Sequence, residues 1–326
     1  MTMRPLFSLL SPGGAHARLS VLIFHRVLPA PDPLFPDEVD TARFDQMLGW
    51  LKGWFNVLPL DEAVRRLQAG SLPRRAAALS FDDGYADNHD EALPLLRRHG
   101  LPCSFFIATD FLDGGRMWND SLIEAVRRSP LPSLDLRGMQ GHDGQEARDL
   151  GRHSITTIEE RRTALQTLIP LCKYLPPRPR QALVDAIAAR AEAALPDDLM
   201  MSSAQVRALR DAGMQIGAHT ASHPILASLS ENEAADEMAR GKARLEQILG
   251  ERVTMFAYPN GKPGTDYLPQ RDPGLARELG FESAVSTAWG AARGGRSDPF
   301  QIPRFTPWDR GRGRFGLRLL RNFRPH

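Results

Sequence analysis

The chain has 326 residues, a formal net charge of +2, 42% hydrophobic and 25% charged residues. That is ample apolar material for a core, so disorder is excluded as the main state, and the near-neutral charge argues against a nucleic-acid binder. No apolar run reaches the roughly 18 residues of a membrane helix, and two cysteines, Cys103 and Cys172, cannot build a disulfide framework or a four-thiolate zinc site.

Residues 1–18 read as an N-terminal segment. Leu6 to Leu10 is shorter than a secretory core region and Pro12 interrupts it, so no cleaved signal is expected. The expected location is the cytoplasm or the inner face of the membrane. Leu19–Phe24 then opens a series of short β-rich runs. The others are Ala76–Phe81, Cys103–Thr109, Met214–His219, Thr254–Tyr258, Glu282–Thr287 and Phe300–Phe305. Several are continuously apolar, as strands buried on both faces are. Helical patterns alternate with them. Thr41 is expected to cap one that carries Phe44, Met47, Leu48 and Leu51 on one face. Asp90 to His99 reads as a shorter helix closed by Gly100. Ser230 with Glu233 forms a capping box for a third, lined by Met238, Leu245, Ile248 and Leu249 and ended by Gly250. Such alternation predicts an α/β protein with a parallel sheet.

About 90 residues separate the third and fourth runs, where two to six would suffice. This stretch, about 111–200, reads as a helical insertion into a barrel of residues 19–305, with helices over Ile158–Leu171 and Pro179–Leu195 and a polar loop around Gly138–Gly151. Residues 306–326 form an Arg-rich tail with Arg310, Arg312, Arg314, Arg318, Arg321 and Arg324. Only four of the 41 basic residues are lysine. Phe315, Leu317, Leu319, Leu320 and Phe323 interleave with the tail's arginines, so a weak association with a membrane or a lipid-linked glycan is one reading of it. A core-covering helix is the other.

Two strand ends carry chemistry. Ser80-Phe81-Asp82-Asp83-Gly84 places adjacent acids that point to different sides, although Asp-Asp-Gly is also a common turn. His219-Thr220-Ala221-Ser222-His223 follows another run. Its two histidines can converge on one metal if the segment coils, and Pro224 disfavours a continuing helix. Two unrelated surface histidines are the plainer reading of that pair alone. Together, the acid and histidine pairs supply three metal ligands and one spare acid, leaving an open coordination position, as in catalytic metal sites.

These motifs resemble those of the polysaccharide deacetylases of the chitooligosaccharide-deacetylase (NodB-like) class. Ser80–Gly84 is similar to the family's T-F-D-D-G, and His219–His223 matches its H-[ST]-x-x-H. Phe256–Gly261 is similar to a degraded R-x-P-[YF]-G. The resemblance covers roughly residues 19–110 and 200–305. Phe24-His25-Arg26-Val27 is similar to an early segment of the members that act on exopolysaccharide of the poly-N-acetylglucosamine type.

The resemblance implies a distorted seven-stranded (β/α)7 barrel. It implies metal-dependent removal of N-acetyl groups from an N-acetylated polysaccharide or oligosaccharide. It implies that Asp83, His219 and His223 bind a divalent metal, zinc first, with iron, nickel or cobalt as alternatives. Asp82 would be the general base. The oxyanion would rest on the metal and a backbone N–H near Tyr258 and Pro259. The third motif's arginine is Ala257 here, and Arg304, at the end of the last run, is the candidate replacement. The family's late histidine motif is absent, because after His223 only His326 remains. His25 is therefore the candidate acid for the leaving amine: first and last strands of a closed barrel are neighbours. Thr220 is expected to brace the histidine loop. Asp87, Asn88 and His89 follow the first motif and could line a sugar groove, with the surface turn the favoured reading of His89. Trp118 and Trp308 are open to either sugar stacking or packing. An amide hydrolase for a small non-sugar substrate, or a non-catalytic glycan-binding relative, remains open beside this reading.

Overall fold

Alternate side chains along the first strand, Arg18–Phe24 (β1), go to two different cores. Leu19 and Val21 join one apolar cluster and Leu22 and Phe24 join another. The same alternation runs through Ala76–Phe81 (β2), Ser104–Ile107 (β3), Gln215–Ala218 (β4), Met255–Ala257 (β5), Ser283–Val285 (β6) and Arg304–Phe305 (β7). Ala76, Ala78, Phe106, Met255, Ala257, Val285 and Ile302 share the cluster of Leu19 and Val21, the interior. Leu79, Phe81, Phe105, Ile107, Ile216, Ala218 and Phe256 lie with the helices outside. Strands buried on both faces read as unbroken apolar runs for this reason. The chain is described here by a computed structural model covering residues 3–139 and 149–323.

The seven strands are parallel and pair in the order β1-β2-β3-β4-β5-β6. β7 pairs with β1, Val21 opposite Arg304, and a parallel bridge between Val285 and Ile302 joins its approach to β6. The sheet therefore nearly closes into the expected distorted barrel, with the first and last strands adjacent. Two short additions extend it: Ala292–Arg293 runs antiparallel to β1, and Asn56–Val57 runs parallel to β2.

The helix over Thr41–Trp54 buries Phe44, Met47, Leu48 and Leu51 as expected. Its cap is one residue earlier than expected: the Asp40 carboxylate accepts from the Arg43 amide. Glu231–Leu249 begins with the Ser230–Glu233 capping box and ends at Gly250. The short helix before Gly100 starts as a wide turn over Asn88–Ala92 and continues as Leu93–His99. In the tail, Arg312–Asn322 is helical, and Phe315, Leu319 and Phe323 are buried in the outer core. Arg324 lies outside the described residues. Among the described residues, no helix is long and apolar enough to cross a membrane.

The chain divides into two compact units. One comprises residues 1–30, 39–113 and 200–326, and the other residues 31–38 and 114–199. The second unit has its own core of Leu122, Val126, Leu134, Ile155, Leu165, Leu168, Val184 and Ile187. Its helices are Trp118–Arg128, Ile158–Lys173 and Pro177–Arg190. An antiparallel pair, Ser133–Asp135 with Arg152–Ser154, was not anticipated from the sequence, because it is short and largely polar. The loop expected around Gly138–Gly151 falls mostly outside the described residues. Asp32, from the 31–38 segment, takes both terminal nitrogens of Arg127, at 3.0 and 2.7 Å.

Candidate metal centre and active site

Asp82 follows β2 in phase with Ala78 and Ser80, so it continues the inward row of side chains. Its amide stays in the sheet and donates to the Phe24 carbonyl. Asp83 breaks the strand with φ +77°, and Gly84 follows at φ +94°. A Cβ on Gly84 would stand 3.0 Å from Ile107 Cγ2, so the turn takes glycine on steric as well as conformational grounds. The left-handed residue turns the second carboxylate away from the path of the first.

The histidines are placed by a clamped loop. His219 continues β4 in the inward phase of Gly217. Thr220 and His223 both take positive φ, +64° and +54°. The Thr220 hydroxyl accepts from the His223 amide at 3.1 Å and donates to the His219 carbonyl, the bracing expected of it. Glu237 on Glu231–Leu249 accepts from the Ala221 and Ser222 amides and from the Ser222 hydroxyl. Arg240 ties Glu237 to Asp110, whose own amide donates to Ala221. A Cβ on Gly241 would lie 2.5 Å from the Thr220 carbonyl group, so the helix approaches the loop through a glycine. Glu237, Arg240 and Gly241 were not singled out from the sequence: on a helix, an acid, an arginine and one glycine carry no distinguishing spacing.

Asp83, His219 and His223 converge. Asp83 Oδ1 lies 3.4 Å from Nε2 of each histidine, and the three donor atoms fall within 4.8 Å of one another. Charge-assisted hydrogen bonds close to about 2.7–2.9 Å. Donors on one tetrahedral ion, at roughly 2.0–2.2 Å from it, stand about 3.4 Å apart. The spacing therefore fits a shared ion better than direct pairing. The tautomer fits as well. His219 Nδ1 lies 2.7 Å from the Ala257 carbonyl, which can only accept, so Nδ1 carries the proton and Nε2 presents its lone pair.

Asp82 is held from the other side. Arg304, wholly buried, grips it with a two-pronged contact, Nη1 to Oδ1 at 2.6 Å and Nη2 to Oδ2 at 2.7 Å. Its Nε donates to the Ser286 carbonyl at 3.0 Å and Nη1 reaches the Ser80 hydroxyl at 3.3 Å. Ala257, where the family motif has arginine, leaves this interior space to Arg304 from the neighbouring end of β7.

Burial pushes Asp82 up, but Arg304 and His219 outweigh it and hold the carboxyl below its usual range. Asp83 is likewise driven down against burial by its two histidines. His219 is held above its ordinary value, since Asp82 and Asp83 outweigh burial, whereas burial carries His223 down to about 4.

His25 is exposed at the end of β1, and its charge acts on Asp82, Asp83 and His223. The segment carrying it is braced from the turn after the acid motif. Asn88 Nδ2 donates to the His25 carbonyl, Arg26 pairs with Asp87 at 2.8 Å, and the Val27 amide donates to Asp87. Asp87 and Asn88 are thus buried positioning groups; His89 contacts Asp90.

The oxyanion donor expected near Tyr258 and Pro259 is not an amide of either residue. Tyr258 is one residue out of the inward phase. Its ring is buried in the outer core and stacks on Tyr267 at 4.0 Å, and its hydroxyl donates to the Phe300 carbonyl. Its amide is taken by Val285, and proline has none. The next amide, of Asn260 at φ +57°, donates to no protein acceptor among the described residues. Trp118 packs beside the second unit's core under Arg180, and Trp308 is 71% exposed.

A polysaccharide deacetylase family model matches residues 69–132 and 184–282, half of the chain. The chain is 24% identical over 105 residues to the poly-beta-1,6-N-acetyl-D-glucosamine N-deacetylase of Staphylococcus epidermidis, covering 32% of this chain and 36% of that one. Two solved structures share its fold. The deacetylase PplD of Streptococcus pyogenes, in complex with acetate, has TM-score 0.59 and 17% identity, over 95% of this chain and 100% of that one. IcaB from Ammonifex degensii has TM-score 0.58 and 20% identity, over 94% and 98%.

Proposed function

The chain belongs to the polysaccharide deacetylase family, hydrolases of N-acetyl amide bonds, and on that premise we propose that it deacetylates a glycan of N-acetylglucosamine units with a divalent ion held by Asp83, His219 and His223. Zinc suits this donor set best, being commonly held by imidazole nitrogen and carboxylate oxygen. A bound ion of that kind polarises a carbonyl and lowers the pKa of water.

The protein's own groups supply the rest. Asp82, kept ionised by the Arg304 fork, accepts a proton from the attacking water. Arg304 orients that carboxylate and takes the place of the missing motif arginine. His25, exposed beside the triad, donates a proton to the nitrogen of the leaving amine. Water thereby adds across the acetamide C–N bond, giving acetate and a free amine. The Asn260 amide is the donor for the developing oxyanion, in place of the Tyr258 region's other amides.

The observation that carries this reading is the fully buried Arg304–Asp82 fork beside three converging ligand atoms, with Asp83 Oδ1 3.4 Å from each histidine Nε2. Its test is acetate release from β-1,6-linked N-acetylglucosamine oligomers, by chelated and zinc-reloaded protein. Release that needs the reloaded ion and exceeds release from simple acetamides supports the glycan reading. Equal turnover of simple acetamides would move the substrate class to small amides.

A further inference from the structure

Arg75 immediately precedes β2 and Asp82 immediately follows it. Six strand residues separate the two ends by about 20 Å, so Arg75 lies at the opposite end of the barrel from the metal triad. Arg75 is 7% exposed and has no carboxylate beside it. Its Nη1 donates to the Ser8 hydroxyl at 2.8 Å, and its Nε–H has no acceptor. The indole N–H of Trp54, 2% exposed, is also without an acceptor. Both side chains line a cavity of about 520 Å³, shared with Arg4, Arg74 and Arg312. Arg312 lies over the Trp54 ring at 5.7 Å. None of the four arginines is in an ion pair among the described residues. Burial, with Arg4 and Arg74, holds the Arg75 guanidinium below its ordinary value.

Buried charge is normally paired, and buried donors normally find acceptors. Here four like charges line one cavity with no acid to meet them, and two donor groups buried in its wall lack an acceptor. A neutral ligand would leave the charge uncompensated. A phosphate oxyanion, carrying −1 as a diester and between −1 and −2 when free, matches guanidinium forks and offers them lone pairs. We propose that this cavity binds a phosphate group, the Arg75 guanidinium standing at its buried side and Arg4, Arg74 and Arg312 meeting the oxygens from the exposed side. The phosphate belongs either to a small soluble molecule or to a phospholipid headgroup. The second source has structural support. Arg4 and Arg312 stand on the Arg4–Leu10 and Arg312–Asn322 helices, whose Leu6, Leu9 and Leu317 are 45, 78 and 49% exposed.

The test uses the full chain and two probes. Inorganic phosphate is compared with chloride at matched ionic strength, by melting temperature and by titration calorimetry. Phosphatidylglycerol vesicles are compared with phosphatidylcholine vesicles by co-sedimentation. The exposed arms are removed in R74Q/R312Q, which leaves the buried Arg75 in place. Phosphate should raise the melting temperature above matched chloride, and R74Q/R312Q should weaken binding about tenfold or more. Selective sedimentation with phosphatidylglycerol identifies a headgroup; a phosphate response without it identifies a soluble ligand. The proposal is overturned if phosphate equals chloride and neither vesicle is preferred. It is equally overturned if either response persists undiminished in R74Q/R312Q.

Discussion

Among the described residues, two arginines are buried in the barrel unit, one at each end, and their surroundings are opposite. Arg304 has five contacts' worth of geometry directed at it: two oxygens of Asp82, the Ser286 carbonyl, the Ser80 hydroxyl, and the Phe106 ring at 5.7 Å. Arg75 has one neutral hydroxyl and like-charged neighbours. Burial by itself therefore says little about an arginine's task. At the strand ends that carry the acids, the guanidinium is saturated by protein and serves to fix a carboxylate. At the other end it remains free to meet something from outside.

The largest expected effect lies at the triad beside Arg304. Asp83→Ala removes the oxygen that both histidines face, so bound metal should fall to background together with activity. Elemental analysis after zinc loading checks it, and full occupancy in the variant would refute the ligand set. Next comes Arg304→Met, which strips the partner from a 3%-exposed carboxylate. Breaking a buried pair in this way costs about 3–5 kcal/mol, read by denaturant unfolding of the metal-free protein. Because the folded pKa of Asp82 lies below its ordinary value, its ionised form stabilises the fold at neutral pH. That contribution is lost as pH falls through the folded value. The gap between wild type and Arg304→Met should thus be full at pH 7 and shrink below about pH 4. Arg304→Lys should recover part of the stability but not the two-pronged contact. His25→Ala, at an exposed position, should leave stability and metal content intact while turnover falls by about 10²–10⁴. Wild-type turnover would leave the acid role to another group.

The period of two explains which of these residues could be read in advance. Seven apolar runs in order predict a ring in which the first and last strands touch, and that placed His25 and Arg304 beside one another's neighbours before any coordinate. The same period places Ala257 inward and Tyr258 outward. A backbone oxyanion donor near Tyr258 follows from motif position, but which amide there is free depends on the pairing of Tyr258 with Val285, which strand phase does not display. The burial of Asp87 and Asn88 is hidden from the sequence for another reason. Polar residues after a turn read as solvated, and only the folded-back segment at His25 supplies the carbonyl and amide that bury them. The clamp of Glu237, Arg240 and Gly241 acts across some twenty residues of chain, onto backbone groups that sequence does not display. The 31–38 segment illustrates the same limit: Asp32 and Leu34 meet Arg127 and Arg162 far along the chain.

The smallest effect, and the sharpest use of the comparison, is Arg75→Met in phosphate-free chloride. Removing Arg304 orphans an acid; removing Arg75 orphans nothing, since the Ser8 hydroxyl still donates to the Arg4 carbonyl, and it relieves repulsion from Arg4 and Arg74. The two substitutions are chemically identical and the burial is similar, yet they should differ in sign. Arg75→Met should leave stability unchanged or raise it by about 1 kcal/mol or less, since replacing an uncompensated buried charge by an apolar chain of similar volume is neutral or stabilising. Matched unfolding curves for the two variants measure this directly. A loss for Arg75→Met as large as that for Arg304→Met would mean that an acceptor within the chain satisfies Arg75. The free charge at that end, and with it the contrast between the two ends of the barrel, would then disappear.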